Sequence, residues 1–446
     1  MDRKEPGMSR RALMRGAVAA GGLTILGAAA RGAGKTLKVG LIGCGGRGNG
    51  AIRQHLEAAK VLNGKLDLGL DLRVVATCDW FKHKAAATGK RYGVPAERCF
   101  DGARGYQKLL ETDVDIVLMA TSPNFRPVHF EAAVRAGKHV FMEKPVAVDP
   151  PGCRRVVAAG ELAEKKGLMV VAGTQRRHEK GYIDTAHAVL VEKQLGKLKA
   201  GRVAWCMQHI GWASRSPIQP KTPGDLVRTW PNWVELCGDH ICEQHVHNLD
   251  IANWMAGRPP VAARGFGRSC WRAAGNMYDC FSIDFDYGDG VHIHSMCRQI
   301  NGCWNWVGQD FVFERGRTSG SGSPRPKESP VPPDLPQVRG GHNQEHVNLL
   351  YTLAKGQPLN EARNVAYATA AAVMGRISAY TGQEVSWQDM MASPKKRPEL
   401  YNLTLKPTAE DFETGEVVFP KDGLFPTPGK AAGARRPRQR PKRRKK

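Results

Sequence analysis

The chain has 446 residues, 41% hydrophobic and 24% charged, with a formal net charge of +24. That length supports two domains with real cores, and the charge sits largely at the ends. Residues 430–446 carry ten Lys/Arg and no acid, residues 1–31 carry six against two acids, and residues 32–429 keep only +10. The tail, with Arg435-Arg436-Pro437-Arg438-Gln439-Arg440-Pro441, is expected to be disordered. It could touch anionic lipid, cell-wall polymer or nucleic acid, but it has no aromatic to stack a base, and nucleic acid is not the expected partner.

At the other end, Ser9-Arg10-Arg11-Ala12-Leu13-Met14 sets a twin arginine before a Gly/Ala-rich apolar run, residues 16–30. The run falls short of the ~20 strongly apolar residues of a membrane span. It reads as a twin-arginine signal, residues 1–31, which implies the twin-arginine export machinery as a partner and a periplasmic or otherwise exported, soluble product; the plain alternative is a disordered basic N-terminus. The eleven cysteines are scattered without a CxxC pair, so they form no disulfide framework. A passenger folded in the reducing cytoplasm fits that usage, with most thiols acting as small buried hydrophobes.

Between the ends, apolar runs at 37–42, 74–78, 115–120, 139–142 and 168–172 alternate with helical segments at 51–60, 82–92, 106–112, 128–136 and 151–166. Continuous apolar strands alternating with helices predict an α/β, doubly wound parallel sheet buried on both faces. After residue 173 the rhythm changes. Strand-like segments at 200–210, 261–265, 280–287, 291–297 and 309–314 predict an α+β domain with an open, largely antiparallel sheet. A Gly/Ser/Pro-rich loop or flap follows at 316–339, then helices at 342–354 and 361–380.

Gly43-Cys44-Gly45-Gly46-Arg47-Gly48 satisfies G-x-G-x-x-G between a strand and a helix. Gly43 permits the tight turn, Gly45 and Gly46 let backbone approach a pyrophosphate, and Gly48 allows close helix–strand packing. Arg47 lies in the same turn, and the helix N-terminus presents N–H groups to phosphate. Asp79 ends the second strand and is the candidate ribose ligand. It stands 36 residues beyond Gly43, against about 20 in the simple fingerprint, which an insertion at 61–72 would explain. A carboxylate there favours NAD over NADP, although Lys82 and Lys84 soften the preference. The expected layout is a signal peptide (1–31), an NAD-binding Rossmann domain (35–173), a substrate and oligomerisation domain (174–390), a C-terminal extension (391–429) and a basic tail (430–446).

Lys144 ends Gly137-Lys138-His139-Val140-Phe141-Met142-Glu143-Lys144-Pro145. Together with the upstream glycine turn, this run resembles the Gfo/Idh/MocA oxidoreductases, the family of glucose–fructose oxidoreductase and inositol dehydrogenase, over residues 35–387. The resemblance implies that Lys144 binds a substrate hydroxyl and shares its proton, while Glu143 faces the cofactor or holds the lysine. Ser122 and Asn124, in Thr121-Ser122-Pro123-Asn124, and His129 in the next helix would shape the cofactor pocket. It further implies a dimer or tetramer formed through the second sheet, and a tightly bound dinucleotide in an exported member.

In Glu243-Gln244-His245-Val246-His247-Asn248-Leu249-Asp250, a continuous helix would put Glu243, His247 and Asp250 on one face. By the resemblance, His247 takes the place of the family's acid/base histidine and Glu243 that of its aspartate partner, orienting the ring. Two departures stand: Asp has become Glu, and the usual small residue before Val246 is His245, a rival acid/base. Zinc-like spacings, Cys237-x2-His240 and Cys242-x2-His245, are the competing chemistry, but a helix from Cys242 would point His245 away from His247, and no metal is expected. Arg176, just past the first domain, suits sugar oxygens or a carboxylate. Among Trp230, Trp233, Trp304 and Trp306, Trp230 and Trp304 are the candidates for stacking a sugar or inositol ring.

The reading is an exported NAD(P)-dependent oxidoreductase acting on a secondary hydroxyl or ketone of a sugar, polyol or inositol-type substrate. Two alternatives stay open: an NAD-dependent glycosidase working by oxidation, elimination, hydration and reduction, and a non-catalytic, nucleotide-retaining carbohydrate-binding protein.

Overall fold

A computed structural model describes residues 36–211, 213–392 and 404–429. The twin-arginine run, the basic tail and residues 393–403 of the expected C-terminal extension lie outside the described residues.

The first half is a six-stranded sheet in the order β3-β2-β1-β4-β5-β6. Its strands are β1 (Thr36–Ile42), β2 (Asp71–Asp79), β3 (Cys99–Asp101), β4 (Ile116–Met119), β5 (His139–Met142) and β6 (Val170–Ala172). Every pairing is parallel, and β4 and β6 are buried at every position. Helices α1 (Gly46–Leu66), α2 (Lys82–Tyr92), α3 (Gly105–Leu110), α4 (Arg126–Arg135) and α5 (Pro150–Lys165) cover the two faces. This is the doubly wound Rossmann order, in which ligands sit at the carboxyl ends of the strands. The expected insertion at 61–72 is mostly helix: α1 continues to Leu66, closing on Asp67 in the left-handed region with its N–H on Asn63. Short β3 carries little apolar pattern and was not legible in the sequence.

The second half is a seven-stranded sheet, β12-β11-β7-β10-β9-β8-β13. Its long strands are β7 (Leu198–Met207), β8 (Ala262–Arg268), β9 (Cys280–Asp286), β10 (His292–Gln299) and β11 (Trp306–Phe313), with β12 (Gly316–Thr318) and β13 (Val385–Ser386) at the edges. Only β7–β10 pairs in parallel; the other pairs are antiparallel. Burial alternates along β9 and β10, so one face is apolar and covered while the other stays open.

Before and within this half come α6 (Lys180–Leu190), α7 (Pro223–Arg228), α8 (Val234–Cys237), α9 (His240–Glu243) and α10 (Val246–Ala256); α11 (Gly341–Lys355), α12 (Ala362–Thr381) and α13 (Trp387–Ala392) follow the sheet. The chain then returns to the first domain. α11 packs on α1, and α12 packs on both α5 and α10. The segment before α12 runs beside β6, with Val170 N–H on Leu359 O at 2.8 Å and Glu361 N–H on Val170 O at 3.0 Å. That return carries α11 residues to the carboxyl edge of the first sheet. Among the described residues, no helix is long and apolar enough to cross a membrane.

Candidate active site

The glycine turn is built for close approach. Gly43 has φ +98°, and a Cβ there would stand 2.6 Å from the Ala120 carbonyl carbon. A Cβ on Gly48 would lie 1.8 Å from Gly43 O, so only glycine lets α1 start this near β1. Gly45 and Gly46, by contrast, have nothing within 4 Å of where a Cβ would stand. The turn is thus closed on the protein side and open on the other. α1 begins at Gly46 with no acidic residue in its first turn, leaving its positive end for an anion. Asp79, at the end of β2, accepts hydrogen bonds from Cys44 N–H (2.7 Å) and Phe81 N–H (3.0 Å), which fixes its carboxylate beside the turn.

The β4–α4 loop borders the same cradle. Ser122 Oγ bonds Asn124 Oδ1 at 2.8 Å, while Asn124 Nδ2 and Thr121 Oγ1 are buried with no partner among the described residues. Orphaned polar atoms beside an open glycine turn fit a dinucleotide, whose phosphates, ribose and amide supply the missing partners. His129 stands in α4 among aromatic rings. Its ring lies between Tyr106 (4.3 Å) and Phe125 (5.7 Å), and burial pushes its pKa down to about 3. Its Nδ1, like Asn124 Nδ2, is buried with no partner among the described residues.

Glu143 and Lys144 follow β5 at the carboxyl edge. Arg47 reaches across from the glycine turn: its Nε bonds Glu143 Oε1 and its Nη2 bonds Glu345 Oε1 at 3.1 Å. Glu143 is buried, yet Arg47, Lys144 and Arg126 hold its carboxyl below the usual range. Glu345, from α11, is fully buried; desolvation and the Glu143 charge push its carboxyl well above that range. One guanidinium thus faces one carboxyl held low and one pushed high.

Lys144 Nζ donates to the Glu243 carbonyl at 2.5 Å and lies 3.3 Å from Glu243 Oε1. This contact joins the two halves of the molecule at the candidate site. The expected continuous helix is interrupted, because α9 ends at Glu243 and α10 begins at Val246. Glu243 therefore does not orient His247: its carboxylate holds Lys144 and accepts from Gln244 Nε2. Asp250 also departs from the expected face, since its two oxygens lie 2.8 Å from Arg177 Nε.

His247 is buried, its ring stacked on Trp205 at 5.6 Å, and its Nδ1 has no partner among the described residues. Burial, then Lys144 and Arg176, drive its pKa well below the ordinary histidine value. His245 faces the second sheet, with Nε2 2.8 Å from Ser295 Oγ on β10. Arg176 bonds the Asn248 side-chain oxygen and lies 3.3 Å from Gln309 Oε1, between the rings of Tyr182 and Trp205.

The aromatic candidates lie in different surroundings. Trp230 packs against hydrophobic clusters of the interior. Trp304 is 58% exposed and stacks on Arg298, which alternates with buried Cys297 and Gln299 and so belongs to the open face of the sheet. The zinc-like spacings disperse as well: Cys237 Sγ contacts Met277 Sδ, His240 faces Asp239, and His245 faces Ser295. Residues that the linear reading passed over are Trp205, Asn248, Gln309, Arg126 and Glu345. The polar run His342-Asn343-Gln344-Glu345-His346, on a helix with a buried face, was the one available signal.

Residues 37–174 match the family profile described as an oxidoreductase family with an NAD-binding Rossmann fold, Gfo/Idh/MocA. Over those residues the first domain is similar to the NAD-binding domain of that family. The inositol 2-dehydrogenase of Salmonella paratyphi B is 32% identical over 223 residues, 49% of this chain and 54% of that protein. That of Burkholderia cenocepacia is 28% identical over 259 residues, 58% of this chain and 66% of that protein. The chain thus spans about half to just under two thirds of the length of these curated relatives. A levoglucosan dehydrogenase solved with NADH superposes with a TM-score of 0.60 at 16% identity, covering 79% of this chain and 99% of that one. At that identity the likeness is one of fold, and its coverage takes in both sheets.

Proposed function

We propose that the protein is an exported, NAD-dependent oxidoreductase that moves a hydride between a nicotinamide and a secondary hydroxyl or ketone of a sugar, polyol or inositol-type substrate. The observation that carries this reading is Lys144, from the first domain, held by Glu243 from the second, with its charge felt at His247. The glycine turn and Asp79 would hold the dinucleotide, and Asn124 and Thr121 would meet its polar groups. A bound nicotinamide supplies the hydride acceptor. An ammonium has three donors; Glu243 engages two, which leaves one for a substrate hydroxyl. His247, kept neutral by its surroundings, accepts the proton that leaves that hydroxyl.

Asp79 supports NAD over NADP, because a fixed carboxylate repels a 2′-phosphate. Export rests on the twin-arginine run, and tight cofactor retention on the scarcity of free dinucleotide outside the cytoplasm. A homo-oligomer through the second sheet is supported by its open face, where Phe266 is 71% exposed and Trp304 58%.

The test is Lys144→Ala and Lys144→Met in the full-length chain against a panel of sugars and inositols, scored by reduced-nicotinamide absorbance. We expect kcat to fall by about 10²–10⁴ with dinucleotide binding retained. Undiminished turnover in either variant would remove the lysine, and with it this reading.

A further inference from the structure

Two neighbouring arginines lie where the chain leaves β6, and they are partnered in opposite ways. Arg177 has a carboxylate of its own: Asp250 sits 2.8 Å from both Nε and Nη2, and the guanidinium also covers the Trp254 ring at 4.7 Å. Arg176 has none among the described residues. Its hydrogen bonds go to the neutral amide oxygens of Asn248 and Gln309, and its remaining contacts are the rings of Tyr182 and Trp205. Asp250 feels the Arg176 charge, but both its oxygens are committed to Arg177.

A partly buried guanidinium given only neutral acceptors leaves a charge without a compensating anion; Arg126 and Arg376 are likewise held by carbonyls, and what sets Arg176 apart is that it shares Trp205 with His247. The amides that hold it are themselves fixed. Asn248 Nδ2 bonds Ala204 O and Gly308 O, and Gln309 Nε2 bonds Tyr182 OH at 2.9 Å. Arg176 is therefore held in one orientation with no compensating anion. Its place relative to the reaction is also set. Trp205 is shared, with Arg176 6.0 Å from its ring centroid and the His247 ring stacked on it at 5.6 Å.

We infer that the substrate is a sugar or polyol bearing a carboxylate, which Arg176 receives while the hydroxyl to be oxidised meets Lys144 and His247. A single guanidinium with planar donors matches a monoanionic two-oxygen fork, and Trp205 neighbours both Arg176 and His247. This inference rests on the oxidoreductase reading for the second anchor only; the charge argument stands without it.

The experiment uses matched pairs with the full chain and NAD: glucuronate against glucose, galacturonate against galactose, gluconate against glucitol. Both kcat/KM and binding to the NAD-loaded protein, by calorimetry, are measured for the parent and for Arg176→Gln. The expected result is that at least one acid exceeds its neutral partner at least tenfold. Arg176→Gln should then weaken that acid about a hundredfold, and the neutral partner much less. Acid binding that depends on Arg176 but gives no reduced nicotinamide supports the charge inference and sinks the oxidoreductase reading. Neutral sugars that bind and react as well as every acid, or an acid preference that survives Arg176→Gln, overturn the inference; so does an acid panel that neither binds nor reacts.

Discussion

Replacing Glu345 and Glu143 one at a time separates the two protonation states that the structure sets around Arg47. Arg47 is about one-third exposed, while Glu143 and Glu345 are 4% and 0% exposed at the side chain. Both carboxyls bond the same guanidinium, yet Arg47, Lys144 and Arg126 favour ionisation of Glu143, whereas burial beside Glu143 disfavours ionisation of Glu345. Glu345→Gln then exchanges one neutral acceptor for another of the same shape, and stability should change by less than about 1 kcal/mol. Glu143→Gln removes the anion. A broken buried pair costs about 3–5 kcal/mol; the exposure of Arg47 lowers the expectation to about 2–3 kcal/mol.

Part of that loss should be recovered because Glu345, freed of its neighbour's charge, can ionise in turn. The double variant should therefore lose more than the sum of the singles, with a coupling of about 1–2 kcal/mol. Urea denaturation of the parent, both singles and the double completes the cycle, and a dinucleotide titration reports the effect on the adjoining cradle. If Glu345→Gln destabilises as much as Glu143→Gln, both carboxyls are ionised and the reasoning fails.

Gly48→Ala puts a Cβ 1.8 Å from Gly43 O, so α1 must move off β1; dinucleotide affinity should drop at least tenfold by fluorescence titration. Asp250→Asn strips Arg177 of its buried carboxylate and should cost about 3–5 kcal/mol in urea denaturation; a loss below about 1 kcal/mol would mark the pair as dispensable. The protein should also be acid-labile through His55, His129 and His245, whose pKa values burial lowers from 6.5 to about 3. Between those values the unfolded chain binds protons that the native one refuses, so each histidine removes about 1.4 kcal/mol per pH unit as pH falls. His178, raised by Glu361, works in the opposite sense, lending stability below 6.5 that is lost as pH rises through its native value. Urea midpoints measured at successive pH steps below neutrality should fall; unchanged midpoints would mean these rings are protonated in the native state.

Much of the first domain was readable along the chain because its determinants are local. A strand buried on both faces must be apolar throughout, so β1, β4, β5 and β6 appear as runs. A turn that lets a helix start against a strand must be glycine, so Gly43 and Gly48 mark the cradle. The Glu143-Lys144 pair follows β5, and that edge is where a doubly wound sheet presents ligands. The antiparallel strands of the second domain showed through their alternation. The break between Glu243 and Val246 did not, because the run from Cys242 onward reads as one helix, whereas in the structure Glu243 meets Lys144 and His245 meets Ser295.

Other features came from contacts distant in sequence. Arg47 meets Glu345 across 298 residues and Lys144 meets Glu243 across 99. The return of α11 over α1, and not any motif, converts a glycine-turn arginine into the centre of a charge cluster. Arg176 and Arg177 are adjacent and chemically identical, and packing alone decides which one receives Asp250. The residues dictated where strands, turns and the Glu143-Lys144 pair would lie, since backbone geometry and burial act over a few positions. Which charges are satisfied was decided by the tertiary structure, since pairing depends on distances that no local pattern encodes.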